Sequence, residues 1–243
     1  MTYDLQYSRF NDYSILIEWP AIIDDLILKD ILNFKNAIEN KKLKQGVEVI
    51  TTYNSILVIY NFTIDNVNDE ILTLERLFFN QVEYKKNEST IWEIPVCYDD
   101  EFSVDLEAFS KKKRLSKPEI IKRHSDAMYT VFFIGFLPGF LYLGGLDSRL
   151  FLDRKTTPNL NVKKGSVALG GKQTGIYPQD SPGGWYCIGN SPIELFNPNK
   201  NPPCFIKAGD KVKFAAVEKP EYYDILNAVK LSEYQLKSTH TNA

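Results

Sequence analysis

Glycine divides this chain more sharply than any other residue. Of its 13 glycines, 12 lie after residue 130, and Gly46 alone precedes them. Lacking a Cβ, glycine permits left-handed backbone, tight turns and close approach of one segment to another. The front of the chain must therefore build its core from side chains on regular elements, while the back is committed to many short strands and turns.

The front half, residues 1–98, alternates between the two structural periods. Tyr13–Trp19 is rich in β-formers and stops at Pro20. Ile22, Ile23, Leu26, Ile27, Ile31, Phe34 and Ile38 recur at helical spacing, with Gly46 as the breaker. Val47–Thr52 and Ile56–Tyr60 read as a hairpin around Tyr53-Asn54-Ser55, and Val67, Ile71, Leu74 and Phe78 give a second helix. A strand over Ile91–Val96 completes the order βαββαβ, that of a ferredoxin-like unit.

Residues 99–127 form a charged helical connector, in which Ser116-Lys117-Pro118-Glu119 has capping-box spacing and an early proline. The run Lys111–Arg114 reads as a solvated face. From 128 to 243, short strands alternate with turn signals: Tyr129–Phe136, Ser166–Leu169, Trp185–Ile188, Ile193–Phe196 and Lys211–Val217. Such spacing predicts an all-β barrel or sandwich, followed by a helix over Lys219–Leu231 and a frayed end from Ser238. The fold class is thus α+β, in two domains with a helical connector.

Several functions are disfavoured. A net charge of −2 offers no electrostatic footprint for nucleic acid or an anionic membrane. Three scattered cysteines and two histidines, His124 and His240, supply neither a disulfide framework nor a metal site, and fit a reducing cytoplasm. Asp4, Arg9 and Asp12 interrupt any signal peptide. Met128–Leu146 is uncharged, but its glycines and Pro138 would break a membrane helix repeatedly, so it reads as buried strand, turn and strand. Gly165–Gly170 has P-loop spacing, yet Gly171 stands where the lysine must be.

What remains is a set of glycine-rich loops. The first carries Gly135, Phe136, Pro138, Gly139, Phe140 and Tyr142; the second Gly170, Gly171, Lys172, Gln173, Thr174 and Tyr177; the third Ser181, Gly183, Gly184 and Trp185. Exposed amides beside aromatic walls suit a small polar ligand bearing a carboxylate or carbonyl. The same loops also read as plain barrel turns. His124, near a helix end, can be a dipole-favoured terminus, a satisfied core histidine, or a general base. His240 falls in the frayed tail and reads as inert.

The run Phe133–Leu146 resembles the hallmark of the allophanate hydrolase subunit 1 family. So do Gly165-Ser166-Val167, Gln173–Pro178, Ser181–Trp185 and Ile188-Gly189, with weaker matches at Ile94–Tyr98, His124-Ser125, Glu48–Ile50 and Tyr53–Val58. The resemblance implies a cyclophilin-like β-barrel in the C-terminal half. It implies a cytoplasmic component of an ATP-dependent 5-oxoprolinase, acting with the A and C subunits of that enzyme to open 5-oxoproline to L-glutamate. ATP would be a co-substrate of the complex, and no cofactor is recognised on this chain. The alternative it implies is a module that inhibits a sporulation histidine kinase. His124 becomes a proton carrier or polar anchor on this reading. Two departures stand out: Asp99-Asp100 replaces a glycine pair, and Asn159 replaces an arginine after Pro158, for which Lys172 or Lys163 could substitute.

Overall fold

A computed structural model of the protein describes residues 3–42, 46–80 and 89–241. The chain divides into two compact units, Met1–Asn87 and Glu88–Ala243.

The first unit runs β1 (Gln6–Asn11), β2 (Ser14–Glu18), α1 (Asp25–Lys42), β3 (Val47–Thr51), β4 (Ser55–Tyr60) and α2 (Val67–Phe79). Its antiparallel sheet has the order β1-β2-β4-β3. Strand β4 buries Ile56, Val58 and Tyr60 in strict alternation, one face of a pleated strand. Helix α1 presents Ile27, Ile31, Phe34 and Ile38, all fully buried, along one stripe. Trp19, Phe34 and Phe78 meet edge-to-face, with Phe34 and Phe78 centroids 5.1 Å apart. Asn66 caps α2 by accepting from the Asp69 amide.

Two features depart from the expected βαββαβ order. The polar strand β1 precedes it, and no described strand of this sheet follows α2. The segment expected to close the sheet, β5 (Ser89–Val96), pairs instead within the second unit. Buried Asp210 ties it there, accepting from the Thr90 amide at 3.1 Å and the Trp92 indole at 2.9 Å. The expected boundary at residue 98 thus lies beyond a strand that belongs to the second unit.

The second unit continues with α3 (Leu106–Lys113), α4 (Lys117–Asp126), β6 (Met128–Ile134), β7 (Leu141–Gly144), β8 (Asn159–Val162), β9 (Ser166–Gly170) and β10 (Gln173–Ile176). It ends with β11 (Ser181–Gly183), β12 (Tyr186–Asn190), β13 (Lys211–Ala216), α5 (Lys219–Lys230) and β14 (Ser238–Thr241). Eight strands form a sheet of order β12-β9-β10-β7-β6-β13-β5-β14, and β8 and β11 form a separate ribbon. Cys97, just past β5, exchanges two backbone hydrogen bonds of 2.9 Å with Asn190, so the end of β5 lies beside β12. The uncharged Met128–Leu146 segment is strand, turn and strand, and no helix among the described residues is long and apolar enough to cross a membrane.

Other local expectations are corrected. Ile193–Phe196 forms no strand: prolines flank it at 192 and 198, and the Ile193 amide turns to the Ser191 hydroxyl. The tail does not fray at Ser238, because β14 pairs with β5 and the His240 ring lies 3.2 Å from the Thr90 hydroxyl; residues 242–243 fall outside the described residues. The basic run is not wholly solvated. Lys112 donates to the Tyr186 hydroxyl at 2.9 Å and Lys113 to the Phe151 carbonyl at 2.7 Å. Ser116 caps α4 as expected, accepting from the Glu119 amide, while the Glu119 carboxylate accepts from Arg123.

Candidate active site

Three aromatic side chains, one from each glycine-rich loop, meet in a small cluster. Phe140 lies 5.1 Å from Tyr177 and 5.6 Å from Trp185, both nearly perpendicular to it. Val162, Ala168 and Cys187 complete this cluster, against which Leu137 and Tyr142 pack. Tyr142 continues it outward, 4.8 Å from Phe140, 5.9 Å from Trp185 and stacked on Phe133 at 4.1 Å.

The glycines make this packing possible. A Cβ on Gly170 would stand 2.5 Å from the Trp185 indole. On Gly175 it would meet the Leu141 carbonyl at 2.7 Å and the Phe140 ring at 3.0 Å, and on Gly183 it would collide with the Tyr177 hydroxyl. Real Cβ atoms do not approach this closely, so the rings occupy space that other residues would fill. Gly139 and Gly171 have φ of +82° and +65°, and around Gly171 a Cβ would meet nothing.

Phe136 has φ of 68° and is 66% exposed. A bulky residue held left-handed costs about 1–3 kcal/mol, a cost found most often at functional sites. Its ring packs edge-to-face on Phe140 at 5.7 Å. Burial raises the Tyr177 phenol to about 12, keeping it protonated as a hydrogen-bonding group.

The sequence-selected residues sort by depth. Gly139, Phe140, Gly170, Thr174, Tyr177 and Trp185 are buried; Gly135, Tyr142, Gly171, Gln173, Ser181, Gly183 and Gly184 are half-buried; Phe136, Pro138 and Lys172 are exposed. The rings form a buried cluster, and the exposed residues lie on the same loops.

His124 lies elsewhere, in the core of the second unit, and has no exposed surface. Its Nδ1 lies 2.8 Å from the Tyr98 hydroxyl and its Nε2 lies 2.9 Å from that of Thr174. Because the Thr174 hydroxyl donates to the Ala168 carbonyl, it accepts from Nε2–H, leaving Nδ1 to accept from Tyr98. The ring stacks on Phe214 at 4.5 Å, and desolvation lowers its pKa to about 3. A neutral ring with both nitrogens engaged is a polar anchor. A proton carrier would need access to a reacting group, and this imidazole has none.

The departures from the family pattern also find their places. Asp99 accepts from the Glu101 amide within a turn, and Asp100 pairs with Lys117 at the start of α4. The Asn159 side chain accepts from the Asn161 amide, and Lys163 pairs with Asp180 at 2.8 Å, which occupies that substitute cation.

Sequence reasoning missed three charged neighbours. Asp105 accepts at one oxygen from the Cys187 amide at 2.9 Å and from Lys155 at 2.8 Å. The Arg154 guanidinium lies 5.6 Å from the Trp185 ring centre. No periodicity marks these positions: Arg154 and Lys155 are placed by backbone pairing between Leu152 and Gly171 and between Lys155 and Gly184, and Asp105 by its amide donating to the Cys187 carbonyl.

Residues 5–206 match the family described as carboxyltransferase domain, subdomain C and D. The chain is 34% identical to the 5-oxoprolinase B subunit of Bacillus subtilis, over 92% of this chain and 97% of that protein. It is 41% identical to the protein of the same name from Haemophilus influenzae, over 69% of this chain and 78% of the other. Among solved structures, TTHA0988 superposes with a TM-score of 0.73 and 27% identity over 85% of this chain, which spans only 40% of that longer one. The chain belongs to the carboxyltransferase subdomain C and D family, alongside members named as the B subunit of 5-oxoprolinase.

Proposed function

We propose that this chain is the B subunit of an ATP-dependent 5-oxoprolinase, opening 5-oxoproline to L-glutamate together with the A and C subunits. The observation that carries the reading is the similarity to the Bacillus subtilis protein along nearly the full length of both chains. The site is consistent with it: an aromatic cluster beside glycine-rich loops suits a small cyclic amide.

A lactam carbonyl is a poor electrophile. Transfer of the ATP γ-phosphoryl group to the lactam oxygen, with ADP leaving, converts that oxygen into part of a leaving group. Water then adds to the activated carbon, the ring C–N bond breaks with its nitrogen taking up a proton, and a second water hydrolyses the resulting acyl phosphate to the carboxylate and inorganic phosphate. This chain carries no P-loop, and His124 is sealed in the core, so the chain supplies one wall of a composite site. Its own part is to bind and orient: half-buried Tyr142 and the exposed loop residues Phe136, Pro138 and Lys172 border the ligand, over the buried rings of Phe140 and Trp185.

The second unit supports the reading of a cyclophilin-like barrel, since the Cys97–Asn190 bridge brings the end of β5 to the opposite edge strand β12. Free Cys97, Cys187 and Cys204 fit a cytoplasmic location. The kinase-inhibitor alternative gains nothing from the relatives described above.

Reconstitution tests the proposal. ATP- and 5-oxoproline-dependent glutamate release is expected only when this chain is combined with the A and C subunits. Robust turnover by this chain alone, or by those two without it, overturns the composite site.

A further inference from the structure

The aromatic site has a cation poised over it. Lys163, marked in the sequence as a substitute cation, is held instead by Asp180. Arg154 lies on a segment stitched to two of the glycine-rich loops. Leu152 and Gly171 exchange backbone hydrogen bonds of 3.1 and 2.7 Å, and the Lys155 amide donates to the Gly184 carbonyl at 2.7 Å. Between these ties the Arg154 guanidinium lies 5.6 Å from the centre of the Trp185 ring. Its charge reaches Tyr142 and Tyr177, opposing the upward push that burial gives both phenols.

Arg154 is exposed, and among the described residues no carboxylate pairs with it. The neighbouring Lys155 is committed to Asp105 at 2.8 Å. An exposed arginine normally samples many rotamers. Here the two backbone ties fix its main chain and the indole face favours the rotamers that lie over it, which lowers the entropy lost when it grips a ligand. A guanidinium presents a planar fork that matches a carboxylate bidentately.

We infer that Arg154 is the carboxylate anchor of the site, holding the acid group of a small cyclic amide acid at the edge of the Trp185 ring, between the loops at 170–178 and 181–185. This inference rests on the function proposed above and names the group that selects its substrate. The family's arginine after Pro158 is absent here, and Arg154 supplies a cation from a neighbouring turn instead. The lactam ring would lie toward Tyr142, leaving its carbonyl toward the surface where a partner protein could act.

The test uses the reconstituted complex with wild-type chain, Arg154→Gln and Arg154→Lys. Losing a bidentate charge-assisted pair should raise the KM for 5-oxoproline by about 10- to 100-fold in Arg154→Gln. Arg154→Lys keeps the charge but loses the fork, and should fall between the two. Inhibition by 2-pyrrolidone, the same ring without the acid, should be unchanged by either substitution. Assembly and melting temperature should also be unchanged, since the side chain is exposed.

A KM for Arg154→Gln within about twofold of wild type, in a complex that turns over, overturns the anchor and leaves the proposed function standing. Equal weakening of 5-oxoproline and 2-pyrrolidone also overturns it, because packing on Trp185 would then explain the loss. A wild-type complex with no 5-oxoproline turnover removes the proposed function, and the anchor with it.

Discussion

The two units solve the packing problem in opposite ways. In the first, aliphatic side chains fill the space between a sheet and its helices: Ile15, Ile17, Ile27, Ile31, Ile38 and Ile56 are all fully buried. In the second, part of the interior is made by leaving side chains out, so that Phe140, Tyr177 and Trp185 stand where the Cβ atoms of Gly170, Gly175 and Gly183 would be. Side-chain packing of the first kind yields a stable body with an ordinary surface. Packing rings against bare backbone leaves amides and aromatic faces close together, which is the raw material of a binding site. The site proposed above lies in the second unit, where this kind of packing occurs.

The largest expected effect tests the first kind of packing. Phe34→Ala removes the centre of the Trp19–Phe34–Phe78 group and should destabilise the first unit by about 3–5 kcal/mol, read by denaturant unfolding. The indole signal of Trp185 should stay unchanged while the first unit melts. A simultaneous loss of both would show that the two packing modes are not independent.

A pH titration probes the core that supports the second unit. His124 is held near 3 in the folded state, whereas an unfolded histidine titrates near 6.5. The unfolded chain therefore binds the extra proton between these values, and stability falls as pH drops through that window. The full contribution is present above about pH 6.5, and about 2 kcal/mol of it should be gone at pH 5. His124→Gln should flatten that slope while lowering stability at neutral pH, because the Tyr98 and Thr174 contacts are imperfectly replaced. An unchanged slope would contradict the sealed, neutral imidazole.

Gly170→Ala tests the second kind of packing by adding one methyl group. Trp185 is 4% exposed and cannot withdraw, so the substitution should cost about 1–3 kcal/mol and shift the Trp185 indole resonance. A silent Gly170→Ala would mean that the glycine serves only the turn. The smallest effect belongs to Lys163→Ala, which deletes an exposed ion pair of the same unit and should change stability by less than about 1 kcal/mol.

Much of this was legible in the sequence, for local reasons. The stripe Ile27, Ile31, Phe34, Ile38 and the alternation of β4 announce themselves within a few residues. The three loops were legible because glycine and aromatic residues cluster there. What failed was non-local. Strand β5 pairs in parallel with β13, more than 100 residues later, and no local pattern reveals a partner that far away. Strands β1 and β14, Gln6–Asn11 and Ser238–Thr241, are polar segments that become strands through the neighbours they meet. His124 carried a usable signal, since it lies four residues after Ile120 on the buried stripe of α4. Arg154 carried none: its position over Trp185 comes from two backbone ties made by its neighbours.

Hydrogen–deuterium exchange on the reconstituted complex, with and without 5-oxoproline and a non-hydrolysable ATP analogue, tests the central claim most directly. Substrate-dependent protection should appear in the second unit at residues 133–142, 170–178 and 181–185, while residues 15–38 of the first unit exchange as before. Protection confined to the first unit, or none at the three glycine-rich loops in a complex that turns over, would contradict the account.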